Sequence, residues 1–282
     1  MAETPETFLV FAAEERLPDF LLVTQIISKF LGLSREEAAQ GARHSWGFLG
    51  EDLSGEKALK LLEICGFYGI EAVKIPTAAR PELELPLRIT KLGLEPDKLV
   101  YSEANGQSDT MPKENIRVLS AAPLKTETLR TTHTTEGPSI QEKAVRLGIM
   151  AVTGLPIGLG KSKEVRKEVK SSETSFYMDL ILDGGGRLRF CSDNFDFSHL
   201  AAERTYSSQL NFRLMAAKLA AFAPKALKNA GLWAILENKP LSPLPYDSMD
   251  DFELESLRLL AVVKAKGCPP NSPAGPPSGG KT

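Results

Sequence analysis

The sequence predicts an α+β protein in three parts: a small β-α-α-β-α-β module at residues 6–76, a strand-rich module at 85–265 closed by C-terminal helices, and a disordered tail at 266–282. The first part interleaves short apolar runs with apolar residues at helical spacing, which alternates strand and helix in a chain too short for more than one small sheet. The second part is dominated by alternating or β-branched runs joined by Gly-rich turns. The tail, GCPPNSPAGPPSGGKT from Gly267, has too little apolar surface to offset the entropy of ordering itself.

Taken in order, Phe8–Ala12 is a strand-type run, and Pro18 falls in the first turn of a helix carrying Phe20, Val23, Ile27 and Phe30 on one face up to Gly32. Ser34-Arg-Glu-Glu37 has the form of a capping box for a second helix running through Ala42. Leu49–Leu53 reads as a short strand. Ser54 opens a third helix with Ala58, Leu61, Leu62 and Cys65 on its stripe, ending at Gly66, and Ile70, Val73 and Ile75 give a last strand before Pro76. Beyond the linker, LRITKLGL, KLVYSEANGQSD and ENIRVLSAAPL read as strands, with Asn105-Gly106 as a hairpin turn. A polar Thr/Glu segment, Glu127 to Glu136, separates these from KAVRLGIMAVTG and TSFYMDLILDGGGRLRFCSDNFDFS, where Asp183–Gly186 is a second hairpin connection. One long helix from Ser207 or Ser208 to about Gly231 follows, then a last helix from Ser248 with Phe252, Leu259, Leu260 and Val263 on one side.

Composition narrows the function classes. A hydrophobic fraction of 42%, a charged fraction of 25% and a net charge of −2 are those of an ordinary soluble protein and give no electrostatic footprint for nucleic acid. Cys65, Cys191 and Cys268 are odd in number and far apart, so neither a disulfide framework nor zinc spacing is expected. The apolar run near the N-terminus is too short for a signal peptide, and Leu147–Gly160 is too short for a membrane helix and contains Pro156. The expectation is a cytoplasmic protein with no membrane insertion.

The order of the first module, with LGLSREEA between its first two helices, resembles the C-terminal domain of the bacterial ribosomal stalk protein and the Clp protease adaptor that recognises N-degrons. Leu17-Pro-Asp-Phe20 and His44-Ser-Trp-Gly47 carry the likeness to the adaptor. In that family an Asn-Asp pair and the His bind the α-amino group of the degron. Here Ala12 and Ala13 stand at the pair, with Glu14 beside them, and His44 alone remains. An ammonium group presents three donors and needs acceptors, so the resemblance carries the fold further than the activity. LGLEPDKLVYSEANGQSDTMPKENIRVLSA is similar to the opening of bacterial pleckstrin-homology-like domains, which implies a barrel closed by a C-terminal helix, with ligand choice in its hairpin loops. The acidic Glu95-Pro-Asp97 loop and the segment Ala104–Asp109, which has no basic residue, do not suit a lipid headgroup.

Three groups of residues are candidate sites. GLPIGLGKS, Gly154 to Ser162, approaches a phosphate-binding loop in which Gly158, Gly160 and Lys161 would hold the phosphate. Counting back from Gly160, however, puts Leu155 where the first glycine belongs, Pro156 removes a donor, and the following KSKEVRKEVK is charged. A glycine-rich hairpin turn leading into a solvated segment, with Glu164 and Glu168 paired at helical spacing to basic neighbours, is the expectation. Asp193, Asp196 and His199 in CSDNFDFSH are the densest metal-ligand types, yet they alternate with Phe195 and Phe197 as at the end of an edge strand, and calcium-loop spacing is absent. Glu14, His44 and Trp46 are the partner-binding candidates, and His133 reads as loop. No nucleophile signature is present, so the expectation is a non-enzymatic interaction or regulatory module with a protein partner and no cofactor. A small-ligand, nucleotide or metal-binding protein and an adaptor with an altered pocket are the alternatives.

Overall fold

The computed structural model describes residues 6–136, 163–239 and 246–267. They fall into two compact units, one formed by the chain up to Leu124 and from Ser175 onward, the other by Lys125–Thr174.

In the first unit, β1 (Phe8–Ala12) is the centre of a three-stranded sheet, flanked antiparallel by β2 (Phe48–Leu53) and β3 (Ala72–Pro76). Leu9 to Ala12 are all buried, because both faces of the strand are covered. Val10 and Ala12 pack under α1 (Phe20–Leu31), α2 (Arg35–Arg43) and α3 (Gly55–Phe67), against Ile26, Ala38 and Leu61. Leu9 and Phe11 face the other way, onto Ala261 and Val262 of the last helix, α6 (Met249–Gly267). Local signals fix the helix ends. The Asp19 carboxylate accepts from the Leu21 amide at 2.7 Å, which starts α1 two residues after Pro18 and leaves that proline outside the first turn. Gly32 closes α1 in the left-handed region, and Ser34 with Glu37 forms a reciprocal capping box for α2.

The strand-rich region forms a seven-stranded sheet from β4 (Leu87–Leu94), β5 (Lys98–Glu103), β6 (Ser108–Pro112), β7 (Ile116–Glu136), β8 (Lys163–Leu182), β9 (Arg187–Cys191) and β10 (Leu227–Lys228), in the order β10-β7-β8-β9-β4-β5-β6. The order is linear and its two ends do not pair among the described residues. The expected barrel is therefore an open sheet. Closure is replaced by cover: α4 (Ser208–Phe222) lays Phe212, Met215 and Leu219 on one face against Leu92, Leu99, Met178 and Phe190, while α6 lays Leu259 and Leu260 on the other, against Val118 and Ile181. The last helix thus lies between the two sheets of this unit and is buried on both sides rather than one.

Other expectations shift for physical reasons. The long helix expected from Ser207 to Gly231 breaks at Ala223, the residue before Pro224, where the proline ring disfavours helical backbone. The chain then makes β10, parallel to β7, and restarts as α5 (Ala230–Leu236), capped by Asn229. The polar Glu127–Glu136 segment, His133 included, is not a loop in its backbone but continues β7, consistent with its β-branched threonines. Lys163–Lys170 likewise has strand backbone, so its Glu–Lys spacings are not those of a helix. Of the tail, Lys266 and Gly267 belong to α6, and the rest lies outside the described residues, as do the whole of KAVRLGIMAVTG and of GLPIGLGKS with Gly158, Gly160 and Lys161. Among the described residues, no helix is long and apolar enough to cross a membrane.

Candidate functional site

The partner-binding candidates meet where α2 returns to the small sheet. His44 caps the end of α2, and a tight Ser45-Trp46-Gly47 turn leads into β2. Trp46 and Gly47 both have positive φ, +46° and +85°. The turn is held because the Gly47 carbonyl accepts from the Ala12 amide at 2.8 Å and the Ser45 carbonyl accepts from Phe48 at 2.8 Å. Positive φ in a tryptophan is uncommon and persists only where tertiary contacts impose it. Those contacts come from the start of α6. The Trp46 indole donates from Nε1 to Asp251 Oδ1 at 2.7 Å, its ring packs on Tyr246 at 4.8 Å between centroids, and His44 Nδ1 stands 3.6 Å from the same carboxylate oxygen. Burial pushes the Asp251 carboxyl up, but the donors of Trp46, Ser248 and His44 outweigh it and hold the group below the usual carboxylate range.

Beside Trp46, the side chains of Leu17, Pro18, Phe20 and Val23 with Ala42 outline a small apolar pocket of about 130 Å³. Phe20 and Leu21 are exposed next to it. His44 is largely exposed, and Glu14, the third candidate, leaves its side chain in solvent and contributes only its backbone. That backbone is engaged by Arg258 of α6, a residue sequence reasoning missed. The Arg258 side chain is 0% exposed and donates from Nη1 to the carbonyls of Ala12 (3.1 Å) and Glu14 (2.7 Å), and from Nη2 to that of Glu15 (3.0 Å). Its only carboxylate within salt-bridge range among the described residues is Glu255, at 3.9 Å. Gly47 makes room for it, since a Cβ there would come within 2.5 Å of Arg258 Cδ. The corner formed by the Ala12, Glu14 and Glu15 carbonyls is therefore filled by a guanidinium of the chain itself.

Glu255 opens a second buried arrangement. It accepts from the Ala230 amide at 3.1 Å and from the Tyr246 hydroxyl, which also bonds Asn229 and Gly231. Burial pushes both the Glu255 carboxyl and the Tyr246 hydroxyl up. Asn229 in turn bonds both the amide and the carbonyl of Ala121, at 2.9 and 3.0 Å. A third network sits on the same face of the large sheet: Asp179 receives two bonds from Arg189, at 2.6 and 2.7 Å, and Arg187 and Arg189 both reach Glu253 of α6, at 2.9 and 2.8 Å. These groups satisfy one another and, Glu253 apart, are largely buried, so they fix how α6 lies between the sheets.

The structure does not bring the candidate metal ligands together. Asp193 accepts from Ser175 Oγ at 2.6 Å and from Ser192 Oγ at 2.9 Å. Asp196 caps the turn that follows it through Ser198, and His199 Nε2 accepts from the Leu94 amide at 3.1 Å. Each has a separate structural partner, and no group of three metal-ligating side chains exists among the described residues. Burial pushes the Cys65 thiol up to about 11 and the Cys191 thiol above its ordinary value, so neither favours the thiolate a nucleophile needs. The chain matches no protein-family model, no curated protein and no solved structure.

Proposed function

We propose that the chain is a non-enzymatic protein-interaction module whose partner contacts lie on the α1–α2 side, beside His44 and Trp46. The observation that carries this reading is the size and setting of the pocket at Trp46. Its volume of about 130 Å³ accommodates one side chain and falls below the ~300 Å³ at which small-molecule sites begin. Exposed Phe20 and Leu21 extend the apolar surface around it, and Asp251 locks the Trp46 ring at its rim, so little order has to be gained when a partner docks. Recognition of a free α-amino group, as in the adaptors the first module resembles, draws no support from Arg258, whose positive charge already uses the Ala12 carbonyl.

The test is site-specific photo-crosslinking in the full chain, with the reactive residue replacing His44 and, as control, Asn105 at the far hairpin. A discrete protein adduct from position 44 that disappears with Phe20→Arg supports the reading. Adducts that ignore Phe20→Arg, or none at position 44, refute it. Peptides with free and acetylated N-termini address the amine-binding variant, which equal binding of the two would eliminate.

A further inference from the structure

We propose a second, independent site: a binding pocket for an amphipathic anion of the fatty-carboxylate class, at the C-terminal end of α6. A cavity of about 530 Å³ opens there between the start of β7, the break after α4 and the last turn of α6. It lies about 22 Å along the helix from Asp251, taking 1.5 Å of rise per residue to Lys266. The volume is in the range of small-ligand sites and several times that of the pocket at Trp46.

The lining dictates the ligand chemistry. Ile116, Phe222, Ala226, Leu227 and Val263 give an apolar floor without side-chain donors or acceptors, which suits an aliphatic chain and not a sugar or a base. The mouth carries cations. Lys113 and Arg117 are already paired, with Asp97 at 2.9 Å and Asp183 at 3.0 Å. Lys225 and Lys266 are exposed and, among the described residues, have no carboxylate within salt-bridge distance. Glu114 is the sole acidic residue of the lining among those described, against four basic ones. In a chain of net charge −2 this places local positive charge over an apolar cavity. An anionic head beside Lys225 and Lys266 with its tail on the Ile116–Val263 floor satisfies both halves at once, whereas a cationic or uncharged amphiphile satisfies one.

The test is calorimetric titration of decanoate, below its micellar concentration, into the full chain at low ionic strength. Acetate supplies the head alone, decyltrimethylammonium the tail with the opposite charge, and phosphatidylglycerol vesicles an anionic membrane surface. Lys225→Glu with Lys266→Glu is the variant, both positions being exposed and outside the networks that hold α6. The expected result is saturable one-to-one binding of decanoate, no binding of acetate, and an affinity lowered about tenfold or more in the double variant at an unchanged melting temperature. Decyltrimethylammonium should gain affinity in that variant. Absence of saturable decanoate binding, equal affinity in wild type and variant, or binding to vesicles without binding to free decanoate overturns the proposal.

Discussion

Replacing Arg258 with methionine keeps most of the side-chain volume and removes the guanidinium. Three backbone carbonyls, those of Ala12, Glu14 and Glu15, then lose donors at 3.1, 2.7 and 3.0 Å from a side chain that is itself fully buried, and Glu255 loses its neighbouring positive charge. A hydrogen bond from a charged group contributes about 1.5–3 kcal/mol, and three would sum to more than the arginine yields, because burying the charge itself costs several kcal/mol. The balance resembles that of a buried pair broken on one side, for which a loss of about 3–5 kcal/mol is expected. Urea unfolding followed by tryptophan fluorescence measures it: the midpoint should fall while the slope stays constant. The indole of Trp46 bonds to Asp251, about two turns before Arg258 on the same face of α6, so the same probe also reports whether α6 remains docked. A loss below about 1 kcal/mol would mean that Arg258 is an incidental occupant of the corner and that the other contacts of α6 hold the two sheets together without it.

Further outcomes follow from the same contacts. Asn229→Ala removes the bonds to Ala121 and the α5 cap and should cost about 2–4 kcal/mol in the same assay. Because the folded-state carboxyl of Asp251 lies below its unfolded value, it stabilises the fold above the ordinary carboxylate range and loses that effect as pH falls through the folded value. The stability gap between wild type and Asp251→Asn should accordingly be widest near pH 7 and close in acid, and a gap independent of pH would exclude a stabilising role for the ionised carboxylate. Gly185→Ala places a Cβ 2.1 Å from the Glu82 carbonyl at a φ of +101°, so a loss above about 2 kcal/mol is expected from thermal or urea unfolding. Cys65, fully buried with its thiol pushed up, should react with a thiol reagent only at the rate of unfolding.

Much of the local structure was legible in the sequence because it is set locally. Ser34 and Glu37 cap α2 within four residues, and Asn105-Gly106 turns a hairpin without help from the rest of the chain. The Asp183–Gly186 turn even fixes the register that sets Asp179 opposite Arg189, so that ion pair was within reach of a reading that followed the alternation of MDLILD across the hairpin. The open sheet was not, because a two-residue strand at Leu227–Lys228 decides one edge and carries no periodicity. Arg258 was not either, since its partners lie 243 to 246 residues away. The available hint was the run LLAVV after it, apolar around the whole helix and not along one stripe, which marks a helix enclosed on all sides. His44 and Trp46 were singled out through a resemblance, and their partner Asp251 belongs to a helix that the resemblance does not cover.

Because α6 lies against the underside of the three-stranded sheet, that sheet is left without a floor while the ribosome adds the residues between them. Ala261 and Val262, which cover Leu9, Phe11 and Phe48, are made more than 200 residues after them. At about 5–20 residues per second the wait is roughly 10–50 s, during which an apolar strand surface is open to other chains. Folding of the small module is therefore completed by a helix made long after it, and nascent chains arrested before Met249 should bind chaperones that chains carrying α6 no longer need.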